Sequence, residues 1–178
     1  MQLTAEQLLL LQKIKAYVKE NYYAPRERDR DVRYSLADNF DEEKTDIRYV
    51  VEKNAQGQLC LRKVLNVTFS EKIQQLMNEK GLTSPEVYKY ANLDKTLFSK
   101  ILSDREYSPS KDTAVAAAFG LRLNMKEADD LLDRAGYTLS HSIARDVALE
   151  CCFKEGITNV VDINILLSEL GYKPLGRQ

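Results

Sequence analysis

A chain of 178 residues, 44% of them hydrophobic, is long enough for one ordinary domain with an appendage or for two small ones, with apolar material for a real core. Its 26 basic and 27 acidic residues leave a net charge of −1, which excludes a bulk field pulling it toward nucleic acid or anionic lipid. No apolar run approaches the roughly 20 residues needed to span a bilayer, and the N-terminus lacks a signal-peptide pattern, so a soluble, cytoplasmic protein is expected.

Residues 4–21 open with Thr4 and, three positions on, Gln7, the two halves of a capping box. Leu8, Leu11, Ile14 and Val18 then follow a helical repeat. Leu9 and Leu10 widen the apolar face, which predicts packing on more than one side, against the following domain or a second copy. Residues 24–46 are dense in mixed charge, from Arg26, Glu27, Arg28 and Asp29 to Asp41, Glu42 and Glu43, and read as a solvated linker. Tyr34, Leu36 and Phe40 stand apart in it, as a short docking segment or as a loop pinned to the domain surface. Residues 47–53 and 58–64 are two β-prone runs flanking Asn54-Ala55-Gln56-Gly57, where Asn and Gly supply the positive φ of a tight reversal, so a β-hairpin is expected. Two strands alone are marginal in water and need a helix or another edge beside them.

From Thr68 onward the pattern is helical. Ser70 is placed to cap a helix to Lys80 with Phe69, Ile73, Leu76 and Met77 on one face, and Gly81 suits a left-handed C-terminal position. Thr83 or Ser84 caps a second helix, with Pro85 in its first turn. Asp94 caps a third, carrying Leu97, Phe98, Ile101 and Leu102. Tyr107-Ser108-Pro109-Ser110 is a break, a fourth alanine-rich helix spans about 111–121 and closes near Gly120, and Asn124 opens a fifth that runs to Gly136. Two more helices, 139–154 and 158–170, are separated by Glu155-Gly156; Ile143, Val147, Cys151, Ile163 and Leu167 recur in them at core spacing. The fold class expected is mainly α, a five-helix helix-turn-helix bundle with two extra C-terminal helices, preceded by an N-terminal helix and a β-hairpin. Residues 1–67 form the accessory part and 68–178 the helical domain.

Residues 82–103 resemble, without a gap, the helix-turn-helix of the Cro and phage-repressor (XRE-like) class. The likeness lies in Thr83-Ser84-Pro85-Glu86, Val87, the turn at Asn92-Leu93, Asp94, and Phe98, Ser99 and Ile101. Val87, Leu93, Phe98 and Ile101 are expected to bury between two helices, and Asn92 to tolerate the left-handed turn. The resemblance covers about residues 68–136 and implies a repressor-like bundle. Residues 68–176 also look like the helical region that follows macro domains in some bacterial proteins, through Glu86-Val87-Tyr88, Leu97-Phe98-Ser99-Lys100-Ile101 and Ala135-Gly136-Tyr137. No macro domain precedes them here, so no ADP-ribose chemistry is carried over. Tyr88 stands where the repressor class has a small residue at the helix crossing, and residues 68–178 hold 14 basic against 16 acidic side chains.

By analogy with the repressor class, the third helix would lie in the major groove of double-stranded DNA, with the capping Asp94 among the contacting residues and Lys95, Thr96, Ser99 and Lys100 nearest the bases or phosphates. Thr83 and Ser84 would meet a phosphate at the start of the second helix. Two readings stand side by side: a DNA-binding transcriptional regulator acting as a homodimer, and a protein-interaction or adaptor module on the same scaffold. No enzyme is expected. The single histidine, His141, sits between Ser140 and Ser142 at a cap or surface position and lacks the partners of a metal or triad template. Cys60, Cys151 and Cys152 fit neither a disulfide framework nor zinc spacing and read as core thiols, while Asp129, Asp130 and Asp133 read as a solvated helix face. No cofactor and no metal are implied.

Overall fold

Polar side chains at fixed spacing set where the helices begin. The computed structural model describes residues 3–23, 47–53, 59–65 and 67–176, the two strands by their backbone alone. In chain order the elements are α1 (Ala5–Asn21), β1 (Ile47–Lys53), β2 (Leu59–Leu65), α2 (Phe69–Lys80), α3 (Ser84–Tyr90), α4 (Lys95–Ser103), α5 (Lys111–Gly120), α6 (Met125–Arg134), α7 (Ala144–Lys154) and α8 (Val160–Glu169), so the described chain is mainly helical. Thr4 with Gln7, Thr68 with Glu71, and Asn124 with Glu127 form reciprocal capping boxes that satisfy the first free N–H groups of α1, α2 and α6.

The structure corrects the reading of Ser70 as a cap. Thr68 takes that role, and Ser70 lies buried inside α2, its hydroxyl donating to the Ile101 carbonyl of α4. The Thr68-Phe69-Ser70-Glu71 spacing is itself the capping-box signature, and it outranks a serine taken alone. α7 and α8 start later than the apolar periodicity suggests, at Ala144 and Val160: ahead of α7 the Ser140 N–H donates to Asp146 (2.9 Å), and Asn159 caps α8 by accepting from the Val161 N–H (3.0 Å).

α5 closes at Gly120 as expected, but not through a left-handed glycine: a Cβ there would stand 2.6 Å from the Val87 carbonyl and 2.7 Å from the Ala91 Cβ. The left-handed residue after α5 is Arg122, at φ 53°. Glycine is needed at 120 for the close crossing of α3 and α5, not for a turn. α5 is buried from Ala114 to Gly120, as befits a helix apolar on every side, and α3, α6 and α8 pack around it. Phe119 of α5 stacks on Phe153 of α7 with ring centroids 3.7 Å apart.

The chain divides into two compact units, Met1–Ala24 with Thr68–Gln178, and Pro25–Val67. α1 therefore belongs with the other helices, and a boundary at 67/68 would cut it from its own core. Its Leu11 and Ile14 are buried where it packs on α7 and α8. Of Leu9 and Leu10, expected to widen that face, Leu10 is partly buried against the core but Leu9 is 57% exposed, as is Leu8 of the helical repeat at 47%. In the second unit β1 and β2 pair antiparallel from Ile47 opposite Leu65 to Lys53 opposite Leu59. The linker 24–46 with Tyr34, Leu36 and Phe40, and the reversal at 54–57, lie outside the described residues.

A polar clasp ties α1 to α7. Glu150, almost fully buried, accepts from Tyr17 (2.9 Å) and Lys154 (2.8 Å), and its other oxygen lies 2.6 Å from His141 Nε2. Tyr23 stacks on the His141 ring and donates its N–H to the His141 carbonyl (2.9 Å), so this histidine is a docking point and not a helix cap. Burial alone would raise the Glu150 carboxyl, but hydrogen bonds from Lys154, Tyr17 and His141 outweigh it and hold the group below its ordinary 4.5. A depressed carboxylate contributes stability that is present above its unfolded value and lost as pH falls through its folded one. Thermal midpoints stepped downward from neutral pH are thus expected to fall in the acid range, below the ordinary value, and Glu150→Gln is expected to flatten that limb. An acid limb of unchanged steepness in the glutamine variant would remove the clasp from the account.

Candidate nucleic-acid interface

Two short helices and the turn between them carry the residues singled out in the sequence. Asn92 adopts φ 51°, and behind it the Leu93 N–H donates to the Tyr88 carbonyl (2.9 Å), closing α3 and redirecting the chain. Asp94 then starts α4, its carboxylate accepting from the Thr96 N–H at 2.7 Å. Val87, Leu93, Phe98 and Ile101 are all buried. Tyr88, bulkier than a close crossing would allow, lies partly buried with its ring tilted against Phe98, centroids 6.3 Å apart. Close approach is made on the other side of α3, at Gly120.

α4 is secured at its C-terminus as well. Ser70 and Gln74 of α2 donate to the carbonyls of Ile101 and Leu102, the latter at 2.6 Å, filling acceptor sites that a helix end leaves open. With its inner face buried and both ends tied, α4 presents Lys95, Thr96, Ser99, Lys100 and Ser103 to solvent. No carboxylate interrupts the helix from Lys95 to Ser103. The Lys100 ammonium lies 5.7 Å from the centre of the Tyr107 ring, which holds it beside the end of α4. In the following loop Arg105 pairs with Glu71 (2.8 Å), and Asp104 accepts from the Glu106 N–H (3.1 Å).

The start of α3 is arranged differently from the sequence expectation. Both Thr83 donors, the N–H (2.8 Å) and the hydroxyl (2.6 Å), go to the Glu86 carboxylate. Those same hydrogen bonds, first the hydroxyl and then the N–H, hold Glu86 below the usual carboxylate range. An intramolecular anion thus occupies the position where Thr83 was to meet a phosphate. Ser84, the first residue of α3, is partly buried.

A concavity of about 390 Å³ elsewhere on the helical unit gathers Asp129, Asp133, His141 and Glu150. Burial, and after it the charge of Glu150, raises the Asp129 carboxyl. Asp130 is engaged by Arg134 (3.0 Å) and Lys72 (3.2 Å). Among the described residues no group of three or more His, Cys, Asp or Glu side chains is placed to hold a metal ion. Burial pushes the thiols of Cys151 and Cys152 up to about 11 and about 12, so both stay protonated and weakly nucleophilic at neutral pH. Among the described residues no helix is long and apolar enough to cross a membrane. No protein-family model matches the sequence, and comparison with curated proteins and with solved structures returned no match either.

Proposed function

We propose that residues 68–136 are a helix-turn-helix module of the Cro and phage-repressor kind that binds double-stranded DNA, with α4 in the major groove, and that the protein is a transcriptional regulator. The observation that carries this reading is the outer face of α4: Lys95, Thr96, Ser99 and Lys100 are exposed together with no carboxylate between them, on a helix whose opposite face is buried, whose start is capped by Asp94 and whose end is held by α2. Hydroxyl and ammonium groups on a rigid helix suit base edges and phosphates, and rigidity is what lets a contact discriminate. The N-terminal helix and the hairpin would then serve dimerisation or effector contact.

Binding to a DNA duplex is expected to weaken steeply with added salt, and Lys95→Ala or Lys100→Ala should each lower the salt slope by about one as a phosphate contact is lost. Affinity that ignores salt, or an absence of binding at low salt, sinks the proposal. A second reading, a protein-interaction module on the same scaffold, is favoured by one observation: the Glu86 carboxylate already fills the anion position at the start of α3. Duplex binding that improves when Glu86→Gln removes that charge would speak for DNA and against the adaptor.

A further inference from the structure

The C-terminal tail, residues 172–176, runs back from α8 to the turn between α3 and α4. Leu175 is completely buried. Its backbone is held at both polar groups by one side chain, since its N–H donates to Asn164 Oδ1 (2.6 Å) and its carbonyl accepts from Asn164 Nδ2 (2.8 Å). Arg145 of α7 donates to the carbonyls of Lys173 (2.7 Å) and Pro174 (3.3 Å) and reaches Asp112 at the start of α5 (2.7 Å). The tail is therefore pinned to α8, α7 and α5 just before it arrives at the turn. Gly176 follows at φ 78°, and a Cβ on it would stand 2.9 Å from the Asn92 carbonyl and 3.6 Å from that of Ala91. Glycine is demanded there twice, by the left-handed backbone and by the proximity of the turn.

Asn92 is the residue whose left-handed conformation sets the direction of α4 relative to α3. A turn of this kind in a non-glycine residue sits in a sparsely populated region and persists when its surroundings enforce it. We propose that the tail is a brace: seated against the Ala91 and Asn92 carbonyls, it holds the α3–α4 turn and so the angle at which α4 is presented, with Asn164 as the positioning residue. The consequence for DNA rests on the function proposed above, whereas the brace itself does not. The two helices beyond residue 136, which a five-helix module does not require, thereby acquire a role, since α7 and α8 supply the groups that anchor the tail.

The test is hydrogen exchange on the full chain, unaltered and carrying Asn164→Ala or Gly176→Ala, together with binding of a mixed-sequence DNA duplex across a salt series. Local opening of the turn would be read at the Asn92 and Leu93 amides, which bond to the carbonyls of Lys89 and Tyr88. Each variant is expected to speed exchange there roughly tenfold while amides in α2 and α6 keep their rates. Duplex affinity should fall several-fold with the salt slope unchanged, because no phosphate contact is removed. Unchanged exchange at Asn92 and Leu93, or an equal rise in every helix, overturns the brace. Gly176→Ala leaves Leu175 and its clasp chemically intact, which keeps the test decisive even where Asn164→Ala lowers overall stability. A wild-type chain that binds no duplex defeats the DNA reading alone, and the exchange rates still decide the brace.

Discussion

Phe98→Ala is expected to lower the stability of the helical unit by about 3–5 kcal/mol and its melting temperature by roughly 10–20 °C. The ring is 1% exposed, packs on Tyr88, and belongs to the same buried cluster as Val87, Leu93 and Ile101. Truncation would leave a void between helices too firmly held to collapse into it, since α4 is tied at Asp94 and again through Ser70 and Gln74. Ser99→Ala, one residue further on, points to solvent and is expected to stay within about 0.5 kcal/mol of the unaltered protein. The pair separates the two sides of one helix. Thermal melts followed by circular dichroism read both effects. Equal losses of stability from both substitutions would mean that α4 does not divide into an inner and an outer face.

Gly120→Ala should run against the ordinary rule. Replacing a helical glycine by alanine usually gains about 1 kcal/mol because the unfolded chain loses freedom. Here the new methyl would lie 2.6 Å from the Val87 carbonyl and 2.7 Å from the Ala91 Cβ, so α3 has to move away from α5. Overpacking of this kind typically costs about 1–3 kcal/mol, and against backbone it finds no flexible side chain to yield. A net loss of stability is therefore expected in urea unfolding, with weaker duplex binding as Val87 and the turn shift together. A stabilised Gly120→Ala protein would refute the close α3–α5 crossing.

Much of the helical layout is readable from residue types. Reciprocal caps such as Thr4 with Gln7 and Asn124 with Glu127, the left-handed positions Gly81 and Asn92, and apolar periodicity in α2 and α6 are local signals, and local physics suffices to decode them. The same locality explains where residue type alone misleads. Ser70 has the composition of a cap, and only the carbonyl of Ile101, 31 residues away, shows why a hydroxyl is wanted inside the core. Gly120 does end α5, as its residue type suggests, and only the neighbouring α3 backbone shows that space, not φ, requires glycine there. Sequence adjacency places α1 with the segment that follows it, yet Tyr17 and Lys13 find their partners at Glu150 and Glu155, and Leu11 and Ile14 are buried where α1 packs on α7 and α8.

For the candidate interface the division falls in the same place. Sequence by itself determined which side chains α4 can offer, because Lys95, Thr96, Ser99 and Lys100 share one face of any helix built from these residues. Tertiary structure alone decided that this face stays open, that Thr83 spends its donors on Glu86, and that Asn164 and Gly176 bring residues 175–176 against Asn92. Helical periodicity is a property of neighbours a few positions apart, whereas exposure, pairing and bracing depend on residues that only folding brings together.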